Sequence, residues 1–215
     1  MKHETVVVVA GGQALDTTVP EVPAAATVIA ADGGVDRALS LGLHVDLAVG
    51  DFDSVSPEGL ATAEAAGARI ERHPTDKDAT DLELALDAAI ALRPARILVI
   101  GSSGGRLDHL LGSMLLLGLE RYASAEIDAY LGAARIHIVH GSRKLTGTPG
   151  EVVSLVPLLG AAEGVTTRGL VYPLAGETLA AGSSRGISNL FERDTASVAL
   201  ERGTIAVVRP GEEDL

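Results

Sequence analysis

Val6-Val7-Val8-Val9, followed after Ala10 by Gly11-Gly12, is the stretch from which the fold is read. Four β-branched residues in a row leave no polar face, so the strand they predict is covered on both sides. The glycines beyond it let the chain turn sharply out of a sheet. The same pattern recurs downstream. Thr27-Val28-Ile29-Ala30 runs into Asp32-Gly33-Gly34, Leu47-Ala48-Val49 into Gly50-Asp51, and Ile97-Leu98-Val99-Ile100 into Gly101-Ser102-Ser103-Gly104-Gly105. Ala- and Leu-rich helical segments lie between these runs. The alternation predicts a Rossmann-like α/β domain over residues 1–131, a parallel sheet with helices on both faces. In such sheets ligands bind beyond the carboxyl ends of the strands, where these glycines and aspartates fall.

Near residue 132 the pattern changes. Arg135–Val139, Val152–Val156, Ser197–Leu200 and Ile205–Val208 are short β-rich stretches, punctuated by glycines at 141, 147, 150, 160, 164, 169, 176, 182, 186 and 203. No helical period is present. Residues 132–215 are therefore expected to form a small all-β sandwich.

Composition bounds the function. The 215 residues are 47% hydrophobic, ample for a core, with only 2% aromatics and no Trp. A net charge of −12 argues against a nucleic-acid partner, because phosphate backbones need clustered Lys and Arg. An acidic protein still binds a nucleotide when Mg²⁺ carries positive charge into the site. Zero cysteines exclude disulfides, thiolate metal sites and a Cys nucleophile. The start, Met1-Lys2-His3-Glu4, lacks the plan of a signal peptide, and the run around Leu110–Leu119 is too short to span a membrane. A cytoplasmic protein with no membrane partner is expected.

Four acidic motifs carry the chemistry. In Gly50-Asp51-Phe52-Asp53-Ser54, an extended segment would place Asp51 and Asp53 on one side and Phe52 on the other. Paired carboxylates at a sheet mouth suit a hard cation such as Mg²⁺, although a helix-capping turn has the same composition. Lys77-Asp78-Ala79-Thr80-Asp81-Leu82-Glu83 opens an amphipathic helix with Leu82, Leu86, Ala89 and Ile90 on one face. Capping-box spacing accounts for Thr80 and Glu83, but not for Asp78 or for Lys77, a residue suited to phosphate oxygens. Gly104-Gly105-Arg106-Leu107-Asp108-His109 follows a strand and precedes a helix, a place where backbone N–H groups and an arginine cradle phosphate; a turn with Asp108 as N-cap is the bland reading. Asp32-Gly33-Gly34 adds an acid that reaches a ribose hydroxyl or a metal. His44, His73, His137 and His140 have no metal-ligand spacing. All four motifs sit at strand ends or helix starts, so they are expected to converge on one rim, as a metal–nucleotide site.

Taken in order, these motifs resemble the series of the thiamine pyrophosphokinase family. Gly169-Leu170-x-Tyr172-Pro173-Leu174 and Gly186-Ile187-Ser188-Asn189 resemble segments of that family's C-terminal thiamine-binding domain. The resemblance implies an ATP-binding N-terminal domain, a thiamine-binding β domain and a homodimer with thiamine at the subunit interface. By the same resemblance, Asp51, Asp53 and Asp81 hold Mg²⁺, with Asp32, Gly33 and Gly34 beside them on the ATP side. Lys77, Asp78, Thr80, Gly105 and Arg106 serve ATP, Lys77 also counting among the catalytic residues. Asp81, Asp108 and His109 meet thiamine from the α/β side, and Ser188 and Asn189 from the partner subunit. Some members stack a Trp on thiamine, and this chain has none. The implied activity is transfer of the ATP pyrophosphoryl group to the thiamine hydroxyl, giving thiamine diphosphate and AMP. The alternatives are a pyrophosphokinase for another hydroxymethyl heterocycle such as a pterin, a non-catalytic nucleotide or thiamine sensor, and a nucleotide hydrolase.

Overall fold

The computed structural model describes residues 4–12, 21–102 and 106–211. The chain divides into two compact units, Met1–Ser113 with Ser124–Gly132, and Met114–Ala123 with Ala133–Leu215. The fold is α/β, with parallel pairings in the first unit and antiparallel pairings in the second.

The first unit is built on β1 (Thr5–Ala10), β2 (Thr27–Ala31), α1 (Gly34–Ser40), β3 (Leu47–Gly50), α2 (Pro57–Ala65), β4 (Arg69–Arg72), α3 (Asp81–Ala91), β5 (Arg96–Gly101), the start of α4 (Leu107–Leu117) and β6 (Glu126–Leu131). Its strands run in the order β4-β3-β2-β1-β5-β6, every pair parallel. Val6 to Val9 are fully buried in the strand flanked by β2 and β5, which is why the run needs no polar face. Val7 and Val9 join Val28, Ala30, Ala48, Leu98 and Ile100 in one core layer with Val35 and Ala38 of α1 and Ala63 of α2. Alternation turns Val6, Val8 and Ile29 the other way, and α3 packs against β1, β2 and β3 with Ala85, Leu86 and Ala89 buried.

Glycine is required where α1 meets β1. A Cβ on Gly34 would lie 2.0 Å from the Val9 carbonyl oxygen. The Asp32-Gly33-Gly34 turn is thereby pressed against the end of the sheet.

In the second unit, β7 (Ala134–Val139), β8 (Ser142–Thr146), β9 (Val152–Arg168), β10 (Ala175–Leu179), β11 (Asn189–Leu190), β12 (Thr195–Ala199) and β13 (Arg202–Arg209) pair antiparallel. The 17-residue β9 organises it. Its first half pairs with β13 and its second with β10 and β12, and between them Leu159 and Gly160 have positive φ of 59° and 143°. Gly160 and Gly164 therefore lie within a strand and do not punctuate between strands, a correction to the sequence reading. Leu145, Val153, Leu155, Val165, Phe191, Val198 and Val207 share one core.

Candidate active site

The acidic rim forms where β2, β3 and β4 end and α3 begins. Asp32 follows β2 with φ +46°, and its N–H donates to the Val49 carbonyl at 2.9 Å, which ties the turn to β3. Asp51 follows β3. The next residue departs from the extended path expected from the sequence: Phe52 has φ +63°. A left-handed residue of this bulk stores strain of about 1 kcal/mol or more. The period-2 argument for Asp51 and Asp53 is thus wrong in mechanism. Their carboxylates nevertheless come together, because the turn at Phe52 folds Asp53 back until its N–H faces Asp51 Oδ1 at 3.4 Å.

Neighbouring contacts fix this turn. Phe52 packs against the first unit's core and carries the Arg72 guanidinium 5.0 Å from its ring centroid. Ser54 Oγ donates to Asp53 Oδ1 at 2.8 Å. Ser56 caps α2 by accepting from Gly59 N–H at 2.9 Å, and its own hydroxyl donates to Asp36 Oδ1 at 2.6 Å. Sequence reasoning missed Asp36 and Arg72. Asp36 looks like an ordinary first-turn helical acid, and Arg72 sits in a short charged strand.

Asp32, Asp51 and Asp53 each place a carboxylate oxygen within 4.8 Å of the others. Asp81 stands beside them: a Cβ on Gly50 would lie 3.0 Å from Asp81 Oδ1 and 3.2 Å from Asp32 Cβ. Lys77 Nζ bridges to Asp51 Oδ2 at 3.0 Å and to Asp81 Oδ1 at 3.2 Å, the side chains being 14%, 10% and 25% exposed. The Lys77–Asp51 contact is a hydrogen bond, whereas Asp81 Oδ1 is buried and has no partner with hydrogen-bond geometry. A buried carboxylate oxygen held only by the Lys77 ion pair, beside three converging carboxylates, fits a divalent cation held by oxygen.

The protonation equilibria differ across this cluster. The hydrogen bond from Lys77 holds Asp51 below the ordinary carboxylate range, outweighing its partial desolvation. Desolvation raises Asp81, and the charges of Asp51 and Asp32 add to it against the pull of Lys77. Desolvation would lower Lys77, but its contacts with Asp51 and Asp81 carry it above its usual value. Asp81 is accordingly more basic than Asp51.

The remaining motif residues divide. Thr80 Oγ1 caps α3 by accepting from Glu83 N–H at 3.2 Å. Asp78 is exposed. Arg106 turns its guanidinium onto Asp108, with contacts of 2.6 and 3.2 Å, and this pair is mostly exposed. The hydrogen bond from Arg106 lowers Asp108 to about 2. Asp108 lies inside the first turn of α4 and not at its cap, and His109 is exposed beside it. Gly105 falls outside the described residues.

In the second unit, Asn189 is buried, and its Oδ1 accepts from Tyr172 N–H at 3.0 Å while its Nδ2 donates to the Tyr172 carbonyl at 2.7 Å. One side chain thus joins the two segments that the sequence singled out separately. Ser188 is exposed with φ +56°, and its N–H donates to Ser154 Oγ at 3.0 Å.

The fold and rim define a class: an α/β protein whose strand ends gather carboxylates and a lysine around a place fit for a cation and phosphates. Comparison with known proteins specifies it. Residues 21–129 match the family model for the thiamin pyrophosphokinase catalytic domain, and residues 135–205 match that for the thiamin pyrophosphokinase vitamin B1 binding domain. The chain is 28% identical over 192 residues to thiamine pyrophosphokinase of Bacillus subtilis, covering 84% of this chain and 86% of that one. The crystal structure of the Bacillus subtilis thiamine pyrophosphokinase superposes with a TM-score of 0.83 at 26% identity, over 97% of this chain and 100% of the other. The Geobacillus thermodenitrificans thiamin pyrophosphokinase gives 0.80 at 26%, over 97% and 98%. This chain belongs to the thiamine pyrophosphokinase family.

Proposed function

We propose that the protein is a thiamine diphosphokinase, moving the pyrophosphoryl group of ATP onto the thiamine hydroxyl. The observation that carries this reading is the convergence of Asp32, Asp51 and Asp53 beside Lys77 and Asp81 in the unit that matches the family's catalytic domain. The thiamine hydroxyl oxygen bonds to the β-phosphorus as the bond to the α-phosphate oxygen breaks. The products are thiamine diphosphate and AMP, and the hydroxyl proton passes to a carboxylate or water. Mg²⁺, when bound, neutralises charge developing on the phosphates.

The chain's own residues then have distinct tasks. Asp51, Asp53 and Asp81 would hold the cation, with Asp32 close enough to share it. Lys77 and Thr80 would contact phosphate oxygens. Asp81 and Asp108 are the acids that would orient the attacking hydroxyl, and Arg106 holds Asp108 down to about 2. Asp108 and His109 would meet thiamine from the α/β side.

In this reading residues 1–131 form a Rossmann-like ATP-binding catalytic domain and residues 132–215 a thiamine-binding β-sandwich. The shared core reached by both halves of β9 supports the sandwich. The active form is a homodimer in which Ser188 of the partner subunit lines the thiamine pocket. Asn189, whose amide is occupied by Tyr172, positions that wall. A cytoplasmic location fits; among the described residues no helix is long and apolar enough to cross a membrane.

A substrate panel tests the proposal. Purified protein with ATP and Mg²⁺ is expected to release AMP only when thiamine is supplied. A hydroxymethyl pterin replacing thiamine with equal rate would assign the chain to a sister reaction. AMP formed without any acceptor would make it a hydrolase.

A further inference from the structure

The second unit carries a basic depression that the proposed reaction does not use. It has a volume of about 420 Å³ and is lined by Lys144, Thr146, Arg168, Gly169, Arg193, Thr195 and Ser197 among others. Strand register explains why these side chains meet. Ser197 of β12 pairs with Lys144 of β8 on one side and Arg168 of β9 on the other, and Thr195 pairs with Thr146. Residues directly opposite in register point to the same face, so two cations flank a row of hydroxyls. The intervening Leu145, Ala196 and Val198 point into the core. Neighbouring strands lie about 5 Å apart, which puts the Lys144 and Arg168 backbones roughly 10 Å apart with only the small Ser197 between them. Long side chains on either side of a short one leave a concavity with cationic walls.

Two of the three lining cations are unpaired among the described residues. Arg193 pairs with Glu192 at 2.8 Å, but among the described residues neither Lys144 nor Arg168 forms an ion pair. This occurs in a chain of net charge −12, in which acids outnumber Lys and Arg by 29 to 17. An arginine fork, a lysine point charge and three hydroxyls together match an oxyanion with several oxygens, bidentate on one side and monodentate on the other.

We propose that this face binds a small phosphate-class oxyanion at a site separate from the acidic rim. Its location, on β8, β9 and β12, is independent of the reading of Asp32, Asp51 and Asp53 as a catalytic site.

The test is a titration of the full-length protein with inorganic diphosphate, in the presence of a chelator and at constant ionic strength, followed by proton–nitrogen correlation spectra. Saturable shifts are expected at the amides of Lys144, Thr146, Arg168, Gly169, Thr195 and Ser197. A Lys144→Ala/Arg168→Ala double variant should bind there about tenfold or more weakly, with its spectrum still dispersed and its thiamine-dependent AMP formation unchanged. The charge-keeping Lys144→Arg/Arg168→Lys pair should bind diphosphate at this face. The proposal is overturned if chloride reproduces the shifts, if the double variant titrates like the parent, or if diphosphate perturbs only the Asp32–Lys77 region.

Discussion

At the scale of single residues, the site depends on how a few charges are arranged. Asp51 is the most constrained, since it faces Lys77, Asp53 and Asp32 together. An Asp51→Asn variant is expected to lose about 100-fold or more in activity at limiting Mg²⁺, with partial recovery when Mg²⁺ is raised. Steady-state rates across a Mg²⁺ series check this, and parental activity at the lowest Mg²⁺ would remove Asp51 from the metal set. Lys77 links the site to stability. Asp51 is lowered in the folded state, so its contribution is present above the ordinary aspartate value of 3.8 and fades as pH falls through its folded value. Lys77 is raised, so its contribution is present below the ordinary lysine value of 10.5 and fades as pH rises through its folded value. Asp81 is raised and acts in the opposite sense, withholding stability at neutral pH that returns on acidification. A Lys77→Met variant should therefore fall furthest below the parent in urea midpoint between those limits. The gap should narrow toward both extremes; a gap independent of pH would contradict the pairing. The identities of these residues were legible in the sequence, but their geometry was not. Nothing in Gly50-Asp51-Phe52-Asp53-Ser54 announces a left-handed Phe52, because that conformation is held by distant partners, the core and Arg72.

Among elements, legibility follows burial. β1, β2, β3 and β5 could be read directly because both their faces are covered, which forces continuous apolar runs. β4 escaped notice since Arg69-Ile70-Glu71-Arg72 lies at the sheet edge with its arginines exposed. β6 escaped for another reason. Glu126-Ile127-Asp128 reads as polar, yet Asp128 is buried and neutralised by Arg96 at 2.6 Å, a pairing between strands that no local pattern reveals. Capping was partly legible: Thr80 and Glu83 have the spacing of a capping box, and Thr80 does cap α3. Ser56 does more than cap, because Asp36 of α1 takes both its N–H and its hydroxyl. A Ser56→Ala change should lower stability by about 1–2 kcal/mol in urea denaturation, with Gly59 N–H left unsatisfied. A change within 0.3 kcal/mol or so, typical of an exposed surface site, would show that the Asp36 link carries little. In the second unit, Asn189→Ala should raise the KM for thiamine while leaving that for ATP nearly unchanged, since the amide holds the Tyr172 backbone beside Ser188. Equal effects on both substrates would point to a general loss of structure.

For the molecule as a whole, two differently built units answer to two halves of one family, the catalytic model over residues 21–129 and the vitamin B1 binding model over 135–205. A change of sequence grammar is visible near residue 132, from long apolar runs with helices to short strands with glycines. The β order in the second unit is not, because β9 is one strand of 17 residues in which glycines sit at bends, and a glycine in a bend looks like a glycine in a turn. A net charge of −12 suits the proposal that ATP enters as its metal complex. In the proposed reaction diphosphate moves as a unit from ATP to thiamine. The most direct measurement follows ATP radiolabelled in the γ-phosphate through a reaction with thiamine and Mg²⁺, separating all products by chromatography. Label is expected in thiamine diphosphate, with equimolar unlabelled AMP and no ADP. Label in thiamine monophosphate with ADP, or in free diphosphate with no thiamine product, would contradict that reaction.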